Sequence, residues 1–388
     1  MKNIIQYLKN DILPQNADNE RVFNKYKLEE LLYCYALKNN MRLDSPTIVG
    51  LDITRKCNLK CKHCFVTRSD YSNELSTEEI FKLLNDLKEM NVYQIYIMGG
   101  EPFCRDDIID IIKHIKSLQM TVSINTNGTL ITEEQVSILS NIFNIYTDWV
   151  QVSLDGAKAE THDSIRKKGA FDTTISNIKK LCENKVPIRI NMVVSDFNIK
   201  EMVDVYKLAS VLGINRINFN PIYTYKNNTD YRMPTFDEYF NAFEDVLRYH
   251  YEIESPIIIQ QDPLCIPFSH SQLEKYYLNN ELIIPQFNCR AGIYSFEVDP
   301  AGKVYPCSFL HGEEFLAGDI RKNSISEIWT NNANWENTIL SKRKNGKCSN
   351  CTFFERCLGG CIAASYDFTG DICMPDPRCN YFKNEKYS

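Results

Sequence analysis

No run in this 388-residue chain approaches the apolar length needed to cross a bilayer. The opening MKNIIQYLKNDILPQ has neither a continuous apolar segment nor a small-residue cleavage site. A cytoplasmic protein without a membrane partner is the expectation. Basic charge is not in excess: 44 Lys and Arg stand against 50 Asp and Glu, a formal charge of -6. No general polyanion-binding surface, and hence no nucleic-acid partner, is expected. The six histidines show no metal-ligand spacing, and no phosphate loop of the GxxxxGK kind occurs. What the chain does hold in number is cysteine, 15 residues. An odd count, in a long chain with a well-developed core pattern and no export signal, argues against a secreted disulfide framework and for metal ligation in a reducing compartment.

From residue 47, apolar runs alternate with amphipathic stretches, the mark of βα units and a parallel sheet. The pattern predicts strands at Ile48 to Ile53, Gln94 to Met98, Thr121 to Asn125, Val150 to Leu154, Ile188 to Val194 and Arg216 to Ile222. Between them lie helical stretches such as STEEIFKLLNDLKEM, DDIIDIIKHIKSL, TEEQVSILSNIF, FDTTISNIKKLCEN and IKEMVDVYKLASVL. Six strands are too few for a closed eight-fold barrel. The expected fold is therefore α/β, an open, partial (β/α)6 TIM-like barrel over residues 46–250, with reactive loops at the carboxyl ends of its strands. Residues 1–45 read as helical, and the stretch 251–288 as a bridge containing the apolar strand SPIIIQQ. A small cysteine-rich domain fills 289–388.

Directly after the first strand, RKCNLKCKHCF sets Cys57, Cys61 and Cys64 at C-x3-C-x2-C. Three thiolates on one loop can hold three irons of a four-iron cluster and leave the fourth open. A zinc site would need a fourth ligand, and His63 adjoins Cys64 too closely to share one ion with it comfortably. After the second strand comes GGEP, Gly99 to Pro102, where glycine permits close main-chain approach. SINTNG ends the third strand and VSLDG the fourth, both with polar side chains. Two independent motifs fall on the same face of the expected barrel.

The cysteine loop together with GGEP resembles the radical S-adenosylmethionine (SAM) superfamily. The resemblance implies that Cys57, Cys61 and Cys64 ligate a [4Fe-4S] cluster whose open iron takes the methionine amino and carboxylate groups of SAM. The backbone of Gly99, Gly100, Glu101 and Pro102 would then face that amine. Ser123, Asn125 and Ser153 are candidates for ribose contacts; in isolation they are equally ordinary turn residues. Arg166, in THDSIRKKGAF, is a candidate for the cofactor carboxylate, and Asn191 on the fifth strand is another of that kind.

The last hundred residues read C-x12-G-x4-C, a gap, C-x2-C-x5-C-x3-C, a gap, C, and resemble the SPASM extension of radical enzymes. Two zinc sites are the alternative for such an array. The resemblance implies two auxiliary [4Fe-4S] clusters, and so three clusters in all. Cys289, Cys307 and Cys361 would hold one, and Cys348, Cys351, Cys357 and Cys379 the other. The first set lacks an evident fourth thiol, for which Cys265, in QQDPLCIP, is the nearest candidate. Cys34, Cys182 and Cys104 read as core residues, and Cys373 as spare.

Members of this family cleave SAM to a 5′-deoxyadenosyl radical, and those with SPASM extensions commonly act on peptides or proteins. The resemblance thus implies oxidative modification of a peptide, by thioether or carbon-carbon linkage, with a flavodoxin- or ferredoxin-type electron donor. Tetrapyrrole side-chain modification, sulfatase maturation and a non-enzymatic electron carrier are the alternatives.

Overall fold

The strands predicted from the alternating pattern form within one residue of their expected ends: β1 Ile48–Asp52, β2 Gln94–Met98, β3 Thr121–Thr126, β4 Trp149–Ser153, β5 Ile188–Val194 and β6 Arg216–Pro221. Between and after them run α1 Thr77–Glu89, α2 Ile108–Ser117, α3 Glu133–Ile142, α4 Ala159–Ile165, α5 Ala170–Glu183, α6 Met202–Val211 and α7 Phe236–Glu252. This computed structural model describes residues 43–64, 66, 73–222, 230–260, 289, 291–332, 335, 346–351, 359–377 and 379. Nearly all of the expected amino-terminal helical segment, and the bridge beyond residue 260, lie outside them.

Local chemistry sets the helix ends. The Ser76 hydroxyl accepts from the Glu79 N–H while the Glu79 carboxylate accepts from the Ser76 N–H, and Thr132 with Gln135 and Thr235 with Glu238 do the same. Each reciprocal pair satisfies two amides that the first turn leaves open. At their carboxyl ends α1, α2, α5 and α6 turn into the next strand through a left-handed residue, respectively Asn91, Gln119, Lys185 and Gly213.

The sheet is longer than the six expected strands. Among the described residues it has ten, in the order β10-β9-β8-β1-β2-β3-β4-β5-β6-β7, and does not close on itself. The added strands are β7 Ile258–Gln260, β8 Ser295–Val298, β9 Lys303–Tyr305 and β10 Gly318–Asp319. β7 falls in the SPIIIQQ run. β8 pairs in parallel with β1, Gly50 opposite Glu297, so the cysteine-rich segment continues the barrel sheet. Four residues are too few for periodicity to mark such a strand. Two further helices follow, α8 Ile325–Thr330 and α9 Ile362–Thr369.

The two faces of the sheet differ in chemistry. Val49, Leu51, Ile95, Ile97, Val122, Ile124, Val150, Val152, Ile190 and Phe219 point to the helices and join one core with Leu84, Ile112, Leu139, Leu181 and Val205. The alternate residues face inward and are largely polar: Asp52, Gln94, Ser123, Asn125, Gln151, Ser153, Asn191, Asn218, Asn220 and Glu297. Parallel strands buried on both faces usually read as continuous apolar runs. Here RINFNP and TVSINT alternate, as a polar inner face requires. Among the described residues no helix is long and apolar enough to cross a membrane.

One guanidinium ties the cysteine-rich segment to the start of α1. Arg321 Nε and Nη2 donate to the two Glu79 carboxylate oxygens at 2.6 and 2.9 Å, while Nη1 donates to the Asn73 side chain at 2.8 Å. Because the network is partly exposed, Arg321→Ala is expected to cost only about 1 kcal/mol in urea unfolding. Arg321→Lys should recover part of that loss, since an ammonium cannot make the two-pronged contact.

Candidate metal and cofactor centre

The loop bearing Cys57, Cys61 and Cys64 leaves β1 at its carboxyl end, where main-chain bonds clasp it to the loop after β2. Gly100 N–H donates to Thr54 O at 2.7 Å and Glu101 N–H to Lys56 O at 2.8 Å. A Cβ on Gly99 would lie 2.3 Å from Thr54 O, and one on Gly100 2.2 Å from Lys56 O. The close approach that glycine was expected to permit is thus made to the cysteine loop's own carbonyls. Gly99 also sits at φ 129°, a conformation that side chains rarely adopt. The Glu101 carboxylate is buried and committed to three donors: Thr126 Oγ1 at 2.7 Å, Asn127 N–H at 2.7 Å and Phe103 N–H at 3.2 Å. Burial raises its pKa above the ordinary range while those donors oppose the rise. It fastens the GGEP loop to the end of β3, with Pro102 packed in the short 3-10 turn Pro102–Cys104.

On the other side of the loop Lys62 N–H donates to Ile165 O at 2.9 Å, which brings Arg166 beside the thiols. Its Nε donates to Asp155 Oδ2 at 2.7 Å and its Nη1 lies 3.8 Å from Cys61 Sγ. Burial opposes the Arg166 charge, but Asp155 and Cys61 outweigh it and raise the pKa. Burial pushes the Cys61 thiol up to about 11, with Arg166 acting against it. His63 stands 3.7 Å from the same carboxylate, and burial lowers its pKa. His162 accepts the Asp155 N–H through Nδ1, and burial, then Arg166, lowers its pKa to about 4. Asp155 is therefore the pivot of the group. It belongs to VSLDG, whose polar character was visible, but the partner that defines its role lies 11 residues on, in a helix end that the sequence pattern did not mark.

The remaining cofactor candidates line the inner face near the carboxyl ends of β3, β4 and β5. Among the described residues, Ser123 Oγ and Asn125 Oδ1 are buried atoms that meet no hydrogen-bond partner, and so are Gln151 Oε1 and Asn220 Oδ1. Burying such acceptors unpaired costs about 1–3 kcal/mol each, which a ligand donating hydroxyl or amide protons removes. Ser153 and Asn191 stand opposite one another in register, and Asn191 Oδ1 accepts from Asn220 Nδ2 at 2.8 Å.

The carboxy-terminal cysteines divide as follows. Cys289, Cys307 and Cys361 all pack against one apolar cluster around Ile293, Tyr294 and Ile362. Burial pushes the Cys307 thiol well up, and the charges of Cys361, Glu297 and Cys289 push it further. Gly302 of the C-x12-G-x4-C motif makes the turn from β8 to β9 at φ 88°, where a side chain would meet Ile320 and Leu75. Asp376, not singled out in the sequence, ties two cysteines together. Its carboxylate accepts from Cys361 N–H at 2.8 Å and its carbonyl from Cys379 N–H at 2.9 Å. Cys348 and Cys351 share one turn, Cys351 N–H donating to Cys348 O at 2.9 Å. Cys34, Cys265 and Cys357 lie outside the described residues. Cys182 packs on the main core. Among the described residues no three Cys, His, Asp or Glu side chains converge closely enough, as they stand, to grip a metal ion. The donor set still suits iron-sulfur chemistry: three thiols on one clasped loop, a guanidinium beside them and orphaned acceptors on the adjoining wall.

A family profile described as the radical SAM superfamily matches residues 51–209, and one described as an iron-sulfur cluster-binding domain matches residues 289–352. The chain is 30% identical to the AdoMet-dependent heme synthase of Methanosarcina barkeri over 88% of its own length and 99% of that protein. It is 29% identical to mycofactocin maturase MftC of Mycolicibacterium smegmatis, over 87% of this chain and 83% of that one. In fold it superposes on Streptococcus suis SuiB bound to its precursor peptide SuiA with a TM-score of 0.73 and 20% identity, covering 98% of this chain and 87% of that one.

Two outcomes are expected here. Gly100→Ala forces the cysteine loop off its clasp, so reconstituted protein should bind about four fewer irons per chain while its circular dichroism stays close to that of the parent. Asp52, inward-facing at the end of β1, is the second case. Burial and the Asp299 charge, against Arg55, push its carboxyl from 3.8 up to about 7. The stability this contributes is complete below about pH 4 and is lost as pH rises through about 7. Asp52→Asn should remove that loss, so its Tm relative to the parent should rise steadily from pH 4 to 8 in calorimetry.

Proposed function

The chain belongs to the radical SAM superfamily, an enzyme with an iron-sulfur cluster-binding domain, and on that premise we propose that it oxidatively modifies a peptide substrate. The chemistry supplied by the bound groups is reductive cleavage of SAM and hydrogen-atom abstraction by its 5′-deoxyadenosyl fragment. In this reading Cys57, Cys61 and Cys64 hold the SAM-binding cluster. The second set, Cys348, Cys351, Cys357 and Cys379, holds one auxiliary cluster, and Cys289, Cys307 and Cys361 hold another. An electron donor of the flavodoxin or ferredoxin type completes the system.

The chain's own residues position and shield. Gly99 to Pro102 fix the cysteine loop at the rim of the inner face, and Asp155 fixes Arg166 beside Cys61. Ser123 Oγ and Asn125 Oδ1 accept ribose hydroxyls, with Ser153 and Asn191 beside them. Asp52, whose carboxyl is pushed up to about 7, accepts the proton that an oxidised substrate gives up. The observation that carries the peptide reading is a further pair of acceptors on the same wall that are unpaired among the described residues, Gln151 Oε1 level with Asn125 and Asn220 Oδ1 near the carboxyl end of β6. Main-chain N–H groups are their natural complement. The 29% identity to mycofactocin maturase supports the same substrate class.

One observation favours a second reading, modification of a carboxylate-bearing tetrapyrrole. The guanidiniums of Arg189 and Arg216 lie 4.8 and 5.4 Å from the Trp149 ring at the amino ends of the inner strands, two cations suited to carboxylates. Similarity to a heme synthase points the same way.

Anaerobic reconstitution with iron, sulfide, dithionite and SAM tests the first step. About twelve irons per chain and formation of 5′-deoxyadenosine are expected, whereas full iron loading without 5′-deoxyadenosine overturns the reading. Incubation with short peptides encoded beside the gene, followed by mass spectrometry, should show loss of two hydrogens. The same loss, or loss of carboxyl groups, from a tetrapyrrole and from none of the peptides would establish the second reading instead.

A further inference from the structure

On the auxiliary-cluster reading above, we propose that Asp376 is a positioning residue shared by both auxiliary sites, tying Cys361 of one set to Cys379 of the other so that the two clusters are tuned together. No cysteine spacing contains it, and it lies beyond the matched iron-sulfur profile, which ends at residue 352.

Three main-chain hydrogen bonds meet at this one residue. The Cys361 N–H donates to Asp376 Oδ2 at 2.8 Å, the Cys379 N–H to the Asp376 carbonyl at 2.9 Å, and the Asp376 N–H to Gly359 O at 3.1 Å. Its side chain therefore holds one set and its backbone the other. Pro375 and Pro377 flank it, and each fixes its own φ, which stiffens the turn that carries Cys379. Cys361 is constrained as well, standing at the amino end of α9, where its Sγ accepts the Ala364 N–H at 3.4 Å.

Glycine makes the approach possible. Gly359 and Gly360 both take a left-handed φ, 80° and 78°. A Cβ on Gly360 would lie 2.3 Å from Asp376 Cβ and 2.7 Å from its Oδ2. The turn before Cys361 thus fits against Asp376 much as the GGEP turn fits against the first cysteine loop. Asp376 is also buried, so its charge is poorly screened by water. Net charge and hydrogen bonding around the ligating sulfurs set cluster potentials. A carboxylate beside the Cys361 backbone favours the oxidised cluster, and so holds the potential of that site low.

The test uses the full chain with Cys57, Cys61 and Cys64 replaced by Ala, so that only auxiliary clusters remain. Reconstituted with iron and sulfide, this parent should bind about eight irons per chain. Asp376→Asn keeps an oxygen to accept the Cys361 N–H but removes the charge, so the midpoint potential of one cluster should rise with about eight irons retained. Gly360→Ala pushes Asp376 away and should change the electron paramagnetic resonance signals of both clusters. Gly370→Ala is its control: Gly370 has a similar φ of 75°, but among the described residues an added Cβ would meet nothing within 4 Å. Its signals should match the parent's. An unchanged potential in Asp376→Asn overturns the proposal, as does a Gly360→Ala signal that matches Gly370→Ala or differs from the parent in one cluster alone. Iron lost from Asp376→Asn also overturns it, since the charge would then build the site rather than tune it. A parent that binds about four irons or fewer overturns the auxiliary-cluster reading itself, a result distinct from failure at Asp376.

Discussion

The inner architecture depends on a contact in which no side chain takes part. The carbonyls of Thr54 and Lys56 lie against the backbone of Gly99 and Gly100, closer than any Cβ would permit, and accept the N–H groups of Gly100 and Glu101. This clasp fixes the cysteine loop relative to β1 and β2, and hence relative to the polar wall of β3 to β6. Glu101 extends it by linking the same loop to Thr126 and Asn127 at the end of β3. Three strand ends are thereby held in one unit, and the thiols are carried on it.

Buried charge is the second constraint. Asp155 and Arg166 are both largely buried and joined at 2.7 Å, an arrangement that is costly unless each partner is satisfied. Asp155 receives further support from the Val193 N–H at 3.0 Å, and Arg166 reaches Cys61. The pair draws β4, β5, the end of α4 and the cysteine loop together. On the far side, Arg55 and Asp299 pair at 3.0 Å and link the same loop to the end of β8. The loop is thus gripped by glycine backbone on one flank and by ion pairs on two others, the preorganisation that a site handling reactive species needs.

Much of this was legible in the chain. Six strands and five of the helices between them were marked by the alternation of apolar runs and amphipathic stretches, because that signal is local. The cysteine and GGEP motifs were legible because spacing alone carries their chemistry. β8 and α4 were not, being four and seven residues long with too few positions to show a period. Asp155 and Asp376 escaped notice because a carboxylate in a turn has no distinctive spacing, and its meaning comes from the partner it meets.

By itself, the sequence determined the βα rhythm, the positions of the thiols and the alternation of polar and apolar residues that gives the sheet a polar inner face. Those are properties of neighbours along the chain. Only the tertiary structure decided what each motif touches: that Gly99 and Gly100 serve the cysteine loop's carbonyls, that Arg166 is held by Asp155, and that β8 joins β1 so that Glu297 stands over Gly50. The physical reason is that hydrogen bonds, ion pairs and steric exclusion act over a few ångströms of space. In this chain residues that meet at those distances can stand far apart along the sequence, Gly50 and Glu297 by 247 positions.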